Sequence, residues 1–339
     1  MEPKLPNEEI FQKFVYAYLM ENGYARTAEV FRTKTQITEP MPDEPPGFLS
    51  DFCNIFYDVY NSRVRHRIQQ TSPQNTCSTQ NQPIICYTKT GISLTTHDTH
   101  KHAILEVRFH PDCKLFASAS ADTTIKLWDA TTHQTVMCYM DVGLGHGGRV
   151  RSLDFHPFDN NTLCSSDFAV IKVWDLNQQI LDNSFKDGGR IVRVQPVYGR
   201  LLAVANGNAI TILDYHNLVF VRKLEGQVKD IKSMCWDVTG QMIASVSEDE
   251  ARVWSAGDGQ CIGSYPSKER KFQSVIFHPR YHKALVIGGH KCLLSLNLES
   301  MSEYTMRDTQ FSITALAASR ARNQFIASGS DDGVVKIWK

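Results

Sequence analysis

The sequence predicts an all-β propeller of six to seven blades preceded by a small all-α module, and three observations carry that reading. Strand-end positions Trp128, Trp174, Leu213, Trp254, Leu296 and Trp338 recur every 39 to 46 residues, the repeat length of four-stranded blades. A second mark, Phe109-His110-Pro111, returns in phase as Phe155-His156-Pro157 and Phe277-His278-Pro279. Before residue 71 the apolar period is helical instead. A single four-stranded sheet of this kind cannot bury both faces, so the units must pack radially.

The chain has 339 residues and balances 36 Lys+Arg against 36 Asp+Glu. Zero net charge argues against direct contact with duplex DNA, where phosphate neutralisation leaves a basic footprint. An apolar content of 42% supports a full core. No run of eighteen apolar residues marks a membrane span. The start, MEPKLPNEEIFQKF, has none of the marks of a secretory signal. Nine cysteines without a C-x-x-C pair read as free thiols in a reducing compartment. The expected location is therefore intracellular.

Residues 1–70 form the helical module. Ile10, Phe14 and Tyr18 share one stripe, and Phe11, Val15 and Leu19 the next, which predicts an amphipathic helix from about Asn7 to Asn22. Asn7 supplies the cap, and Gly23 the left-handed stop. A second short helix brings Ala28 and Phe31 back to the first. Two such helices have little surface with which to cover that face, so self-association is expected. This stretch resembles a LisH dimerisation motif, with Phe14, Tyr18, Leu19, Tyr24 and Phe31 as the expected dimer contacts. Residues 47–67 then form an aromatic helix in which Phe48, Phe52, Phe56, Tyr57 and Tyr60 either complete the core or offer a docking groove. Residues 71–83 (TSPQNTCSTQNQP) are polar and lack the large apolar groups that offset ordering entropy; they predict a flexible linker. The propeller is expected over 84–339.

Within the repeats, His100, Ser118, Asp122 and Trp128 match the His–Ser–Asp–Trp set of WD40 blades, which the units resemble. A serine, a histidine and an aspartate together invite a catalytic-triad reading. The structural reading is stronger, because the set recurs imperfectly: His becomes Gln227 and Thr309, and Trp becomes Leu213 and Leu296. A buried staple tolerates such decay, whereas a catalytic centre sits at one place. Gly143-Leu144-Gly145-His146-Gly147-Gly148 fits a dinucleotide fingerprint but precedes a strand rather than opening a helix. His97, His100 and His102 lack a companion Cys or carboxylate pair for zinc. No catalytic, cofactor-binding or metal-binding residue is expected.

Propellers bind chiefly through the loops that lead into the innermost strands. Arg149, Arg190, Lys229 and Lys271 fall there in successive repeats, a cationic rim suited to acidic or phosphorylated peptides. Ordinary solvated loop charge is the plainer reading. The order of segments, the stretch G-F-L-x-x-F-x-x-x-F-Y-D-V-Y at 47–60 and stretches such as C-W-D-V-T-G-Q-M-I-A-S-V-S-E-D are similar to the plant LEUNIG transcriptional co-repressors. That resemblance implies a nuclear scaffold without its own DNA contact. A SEUSS-type adaptor and DNA-bound transcription factors would recruit it, and histone deacetylase or Mediator subunits would act as effectors. The long Gln-rich region usual in that family shrinks here to about a dozen polar residues, the mark of a shortened form, and six strand ends stand where the family has seven repeats. The expected closure is a ring whose last blade is completed by the strand near Ile84, since an open sheet edge is normally avoided. A ubiquitin-ligase substrate receptor is the alternative function, because LisH and propeller also occur together there.

Overall fold

The computed structural model describes residues 82–338 apart from 88–91, 97, 113, 140–144, 179, 268–269, 282, 301, 309 and 319–324. The expected dimer contacts Phe14 to Phe31, the aromatic helix with Phe48 to Tyr60, and nearly all of the linker lie outside the described residues.

Six antiparallel sheets follow one another. Their innermost strands are Ile104–Phe109, Ser152–Phe155, Ile191–Val194, Ser233–Trp236, Phe272–Phe277 and Ile313–Ala318. Each leads to a second strand (Leu115–Ser120, Thr162–Ser166, Leu201–Asn206, Met242–Val246, Ala284–Gly289, Ile326–Ser330) and then to a third (Ile125–Asp129, Val170–Asp175, Ala209–Asp214, Glu250–Ser255, Cys292–Asn297, Val335–Trp338). Blades 1 to 5 add an outer strand (Thr135–Tyr139, Ile180–Lys186, Phe220–Leu224, Cys261–Pro266, Glu303–Asp308), while blade 6 has three strands among the described residues.

The core lies between blades. Ala117, Ile125 and Leu127 of blade 1 pack on Leu153, Leu163 and Trp174 of blade 2. The same arrangement joins Ile171 and Val173 to Val204 and Leu213, and Ala203 and Ile212 to Ile243 and Trp254. It continues from Val253 to Leu285 and Leu296, and from Val286 and Leu293 to Ile313 and Leu316. In blades 2 to 5 the repeat-end residue, Trp or Leu, thus fills the face turned toward the preceding blade. Burying each such side chain contributes about 1.5–3 kcal/mol. Leucine replaces tryptophan at 213 and 296 because the position needs apolar volume first.

The Phe-His-Pro marks tie neighbouring blades together. His110 donates from Nε2 to the carbonyl of Asn160 at 2.7 Å, and His156 does so to Gly199 at 3.1 Å. Blade 3 has Gln195 in that position, and its Nε2 donates to the carbonyl of Gly240 at 2.7 Å. The other nitrogen of His156, Nδ1, accepts the amide of Asp159 at 2.7 Å, and Nδ1 of His278 accepts the amide of Tyr281 at 3.1 Å. Each ring therefore folds its own turn, and in blades 1 and 2 it also holds the next blade's turn.

The closure differs from the expectation. Ile84–Tyr87 pairs with Ile92–Thr95 in a separate two-stranded sheet, in the register Ile84 to Thr95, and not with Val335–Trp338. The innermost strands pack side by side from blade 1 through blade 6. A hairpin satisfies the Ile84 strand locally, and local pairing has a lower loop-closure cost than a match to a strand some 250 residues away.

Candidate functional site

Proton bookkeeping fixes the roles in the blade 1 polar set. Asp122, ionised, can only accept, so the His100 nitrogen facing it, Nδ1, 3.1 Å from Oδ2, carries the hydrogen. Nε2 is then an acceptor and takes the Ser118 hydroxyl proton at 2.6 Å, while Ser118 Oγ accepts the Trp128 indole N–H at 2.8 Å. The result is one directed relay, Trp128 to Ser118 to His100 to Asp122. Burial alone would raise the Asp122 carboxyl, but the bonds from His100 and Thr124 outweigh it and hold the group far below the usual carboxylate range.

Blade 2 contains a second His–Ser–Trp set that the sequence reading passed over, with an aspartate at ion-pair distance in place of the last hydrogen bond. His146 Nε2 lies 2.7 Å from Ser165 Oγ, which accepts from Trp174 Nε1 at 2.8 Å, and Asp167 lies 3.1 Å from His146 Nδ1. His146 sits inside the glycine-rich run that mimics a nucleotide fingerprint; its spacing to Ser165, one residue more than that of His100 to Ser118, was the available signal. Blade 4 keeps a shorter version: Ser245 donates to Gln227 Oε1 and accepts from Trp254, each at 2.8 Å. In blade 6 Trp338 donates to Ser328 at 2.9 Å. Ser118 and Ser165 are both 0% exposed, so neither hydroxyl can meet a substrate in this fold. The geometry of these sets is that of a staple.

Among innermost-strand residues, charge gathers in blades 1 to 3. Glu106 accepts from Arg193 at 2.6 Å, from Arg108 at 2.9 Å, from the Leu153 amide at 2.9 Å and from the Ser152 hydroxyl. Ser152 in turn accepts the Val192 amide at 3.1 Å, and Asp154 accepts the Val194 amide at 2.9 Å. Burial acts on Glu106 against ionisation, yet Arg193 and Arg108 keep its carboxyl below the ordinary value; for Asp154 burial prevails and the carboxyl is raised. These groups join three blades across sequence separations as long as 87 residues, which no local pattern announces. The corresponding positions in blades 4 to 6 are Ser233, Cys235, Ser274, Ile276, Ala315 and Ala317.

The cationic rim divides into two parts. Arg149 and Arg190 lead into the innermost strands of blades 2 and 3, as Lys229 and Lys271 do in blades 4 and 5. Lys271 Nζ is 2.7 Å from Glu248 Oε1, and Lys229 Nζ is 3.5 Å from Asp249 and 3.9 Å from Glu248. The turn between the second and third strands of blade 4 thus neutralises both lysines. Arg149 and Arg190 have no ion-pair partner among the described residues. Two residues after Arg149, the guanidinium of Arg151 lies 4.1 Å over the ring of Phe168, which is 56% exposed.

The WD domain, G-beta repeat family matches residues 91–129, 218–255 and 301–339. The chain is 37% identical over 246 residues to the Transcriptional corepressor LEUNIG_HOMOLOG of Arabidopsis thaliana, an alignment covering 72% of this chain and 31% of that protein. The chain resembles the LEUNIG-type WD-repeat proteins. It spans about a third of the length of that relative. The nuclear distribution protein nudF of Aspergillus niger is 23% identical over 98% of the chain and 73% of its own length, and the nuclear distribution protein PAC1 of Arthroderma benhamiae is 25% identical over 100% and 75%.

Proposed function

We propose that this chain is a non-enzymatic scaffold of transcriptional co-repression in the nucleus. The observation that carries the reading is the 37% identity to a transcriptional corepressor across 246 residues, joined to a propeller whose relay hydroxyls are sealed from solvent. The helical module at 1–70 pairs copies through Phe14, Tyr18, Leu19, Tyr24 and Phe31. Its aromatic segment, Phe48, Phe52, Phe56, Tyr57 and Tyr60, meets a SEUSS-type adaptor that connects it to DNA-bound transcription factors. Histone deacetylase or Mediator subunits are the effectors, and DNA is not touched directly, in keeping with a net charge of zero.

Affinity purification of the full chain from plant nuclear extract tests this. A SEUSS-type adaptor is expected among the recovered proteins and is lost when Phe52 and Phe56 are both changed to Ala. Recovery of cullin and RING subunits in its place would assign the chain to a ubiquitin-ligase complex and overturn the proposal.

A further inference from the structure

The divided rim has a consequence for what the propeller holds. Residues leading into an innermost strand and the turn between second and third strands lie at the same end of a blade. In blade 2 the amide of Arg151 bonds the carbonyl of Ser166 at 2.8 Å, which fixes Arg151 beside the turn that bears Phe168. In blade 3 the amide of Arg190 bonds the carbonyl of Ala205 in the same way, also at 2.8 Å. Arg149, Arg151, Phe168 and Arg190 are therefore presented at one end of two adjoining blades. The nearby carboxylate of blade 2 does not compete for the arginines: Asp167 is buried and occupied by His146 and by the amides of Ala169 and Val170. Asp187, close in sequence to Arg190, forms no ion pair with either arginine among the described residues.

Two guanidinium groups without an ion-pair partner among the described residues, at the same end of the blades as an exposed aromatic ring, define a ligand chemistry. Carboxylates satisfy Arg149 and Arg190 through paired N–H donors. An aromatic or aliphatic side chain covers Phe168, whose ring already supports a guanidinium. The lysine half of the rim lacks this capacity, because Glu248 and Asp249 repel an anion as strongly as Lys229 and Lys271 attract one. We infer that blades 2 and 3 carry the propeller's peptide-docking site, and that its occupant is a segment in which acidic residues alternate with aromatic or aliphatic ones. The inference rests on the propeller being a protein-holding surface. It moves the centre of recognition away from an even ring of cations to one sector of it.

The test uses the full chain and a fluorescein-labelled peptide in which Asp and Glu alternate with Phe and Leu, followed by fluorescence anisotropy. Arg149→Glu combined with Arg190→Glu is expected to weaken binding by about tenfold or more, and Lys229→Glu combined with Lys271→Glu to leave it within about twofold. Phe168→Ala is expected to weaken the same peptide but not a version with its Phe and Leu replaced by Ala. Binding is expected to fall with added salt in the parent chain and to lose most of that dependence in the arginine double variant. Arg149→Gln with Arg190→Gln, checked by thermal melting, separates lost charge from lost fold. Equal binding by the two double variants, no binding of the acidic peptide by the parent chain, or tighter binding of a single-stranded oligonucleotide of the same charge would each overturn the inference. None of these outcomes alters the adaptor recovery that tests the co-repressor role, so the two proposals fail separately.

Discussion

Changing Ser118 to Ala removes one oxygen and breaks the relay in the middle. Ser118 is fully buried and joins the Trp128 indole, at 2.8 Å, to His100 Nε2, at 2.6 Å. Without it, the indole N–H and the imidazole nitrogen both lie in the interior with no partner and no water path. Each unmet buried group costs about 1–3 kcal/mol, so the substitution should destabilise the propeller by about 2–6 kcal/mol. Against a total stability of order 5–15 kcal/mol that is a large share, equivalent to a fall of about 5–15 °C in Tm. The assay is chemical and thermal unfolding of parent and variant chains. A double-mutant cycle sharpens it: in a Trp128→Phe background the N–H is already gone, and Ser118→Ala should then cost about 1–3 kcal/mol less. Additive effects, or a loss of only a few tenths of a kcal/mol for Ser118→Ala alone, would refute the relay as a linked set.

Three further outcomes follow from the same geometry. Glu106→Ala leaves Arg108 and Arg193 facing each other across three blades and should cost about 3–5 kcal/mol in unfolding experiments, with Glu106→Gln intermediate. Gly199 has a φ of +65°, and a Cβ there would stand 2.2 Å from His156 Nε2; Gly199→Ala should lower stability by about 1–3 kcal/mol and lose the contact between blades 2 and 3. Stability should also fall on acidification. Burial depresses His156 and His278 below the ordinary 6.5, so the unfolded chain takes up protons first as pH drops. Their contribution is complete above about pH 6.5 and shrinks below it, and His156→Gln should flatten the Tm-against-pH curve in that range.

What the sequence discloses is what repeats. Trp128, Trp174, Trp254 and Trp338 stand in phase because every blade must fill the same face, while Trp236, out of that phase, ends an innermost strand. His100, Ser118 and Trp128 are readable for the same reason. His146 escaped because glycines around it matched another signature. The Glu106–Arg193 bond escaped because it arises only once three blades are stacked. The pairing of Lys271 with Glu248 is hidden in a similar way, since a backbone bond between sheets, from the Phe272 amide to the Glu248 carbonyl at 3.0 Å, brings the start of blade 5 to a turn of blade 4. Strand propensity marks Ile84–Tyr87 as extended but says nothing about which edge it joins, and register in a short strand of this kind is set by the turn that follows. The closure was therefore the least legible feature.

The scaffold account is tested most directly by tethering. With the full chain fused to a heterologous DNA-binding domain at a reporter promoter in plant cells, transcription should fall several-fold below that given by the DNA-binding domain alone. An unchanged or increased reporter signal, with the fusion protein present in the nucleus, would contradict the account.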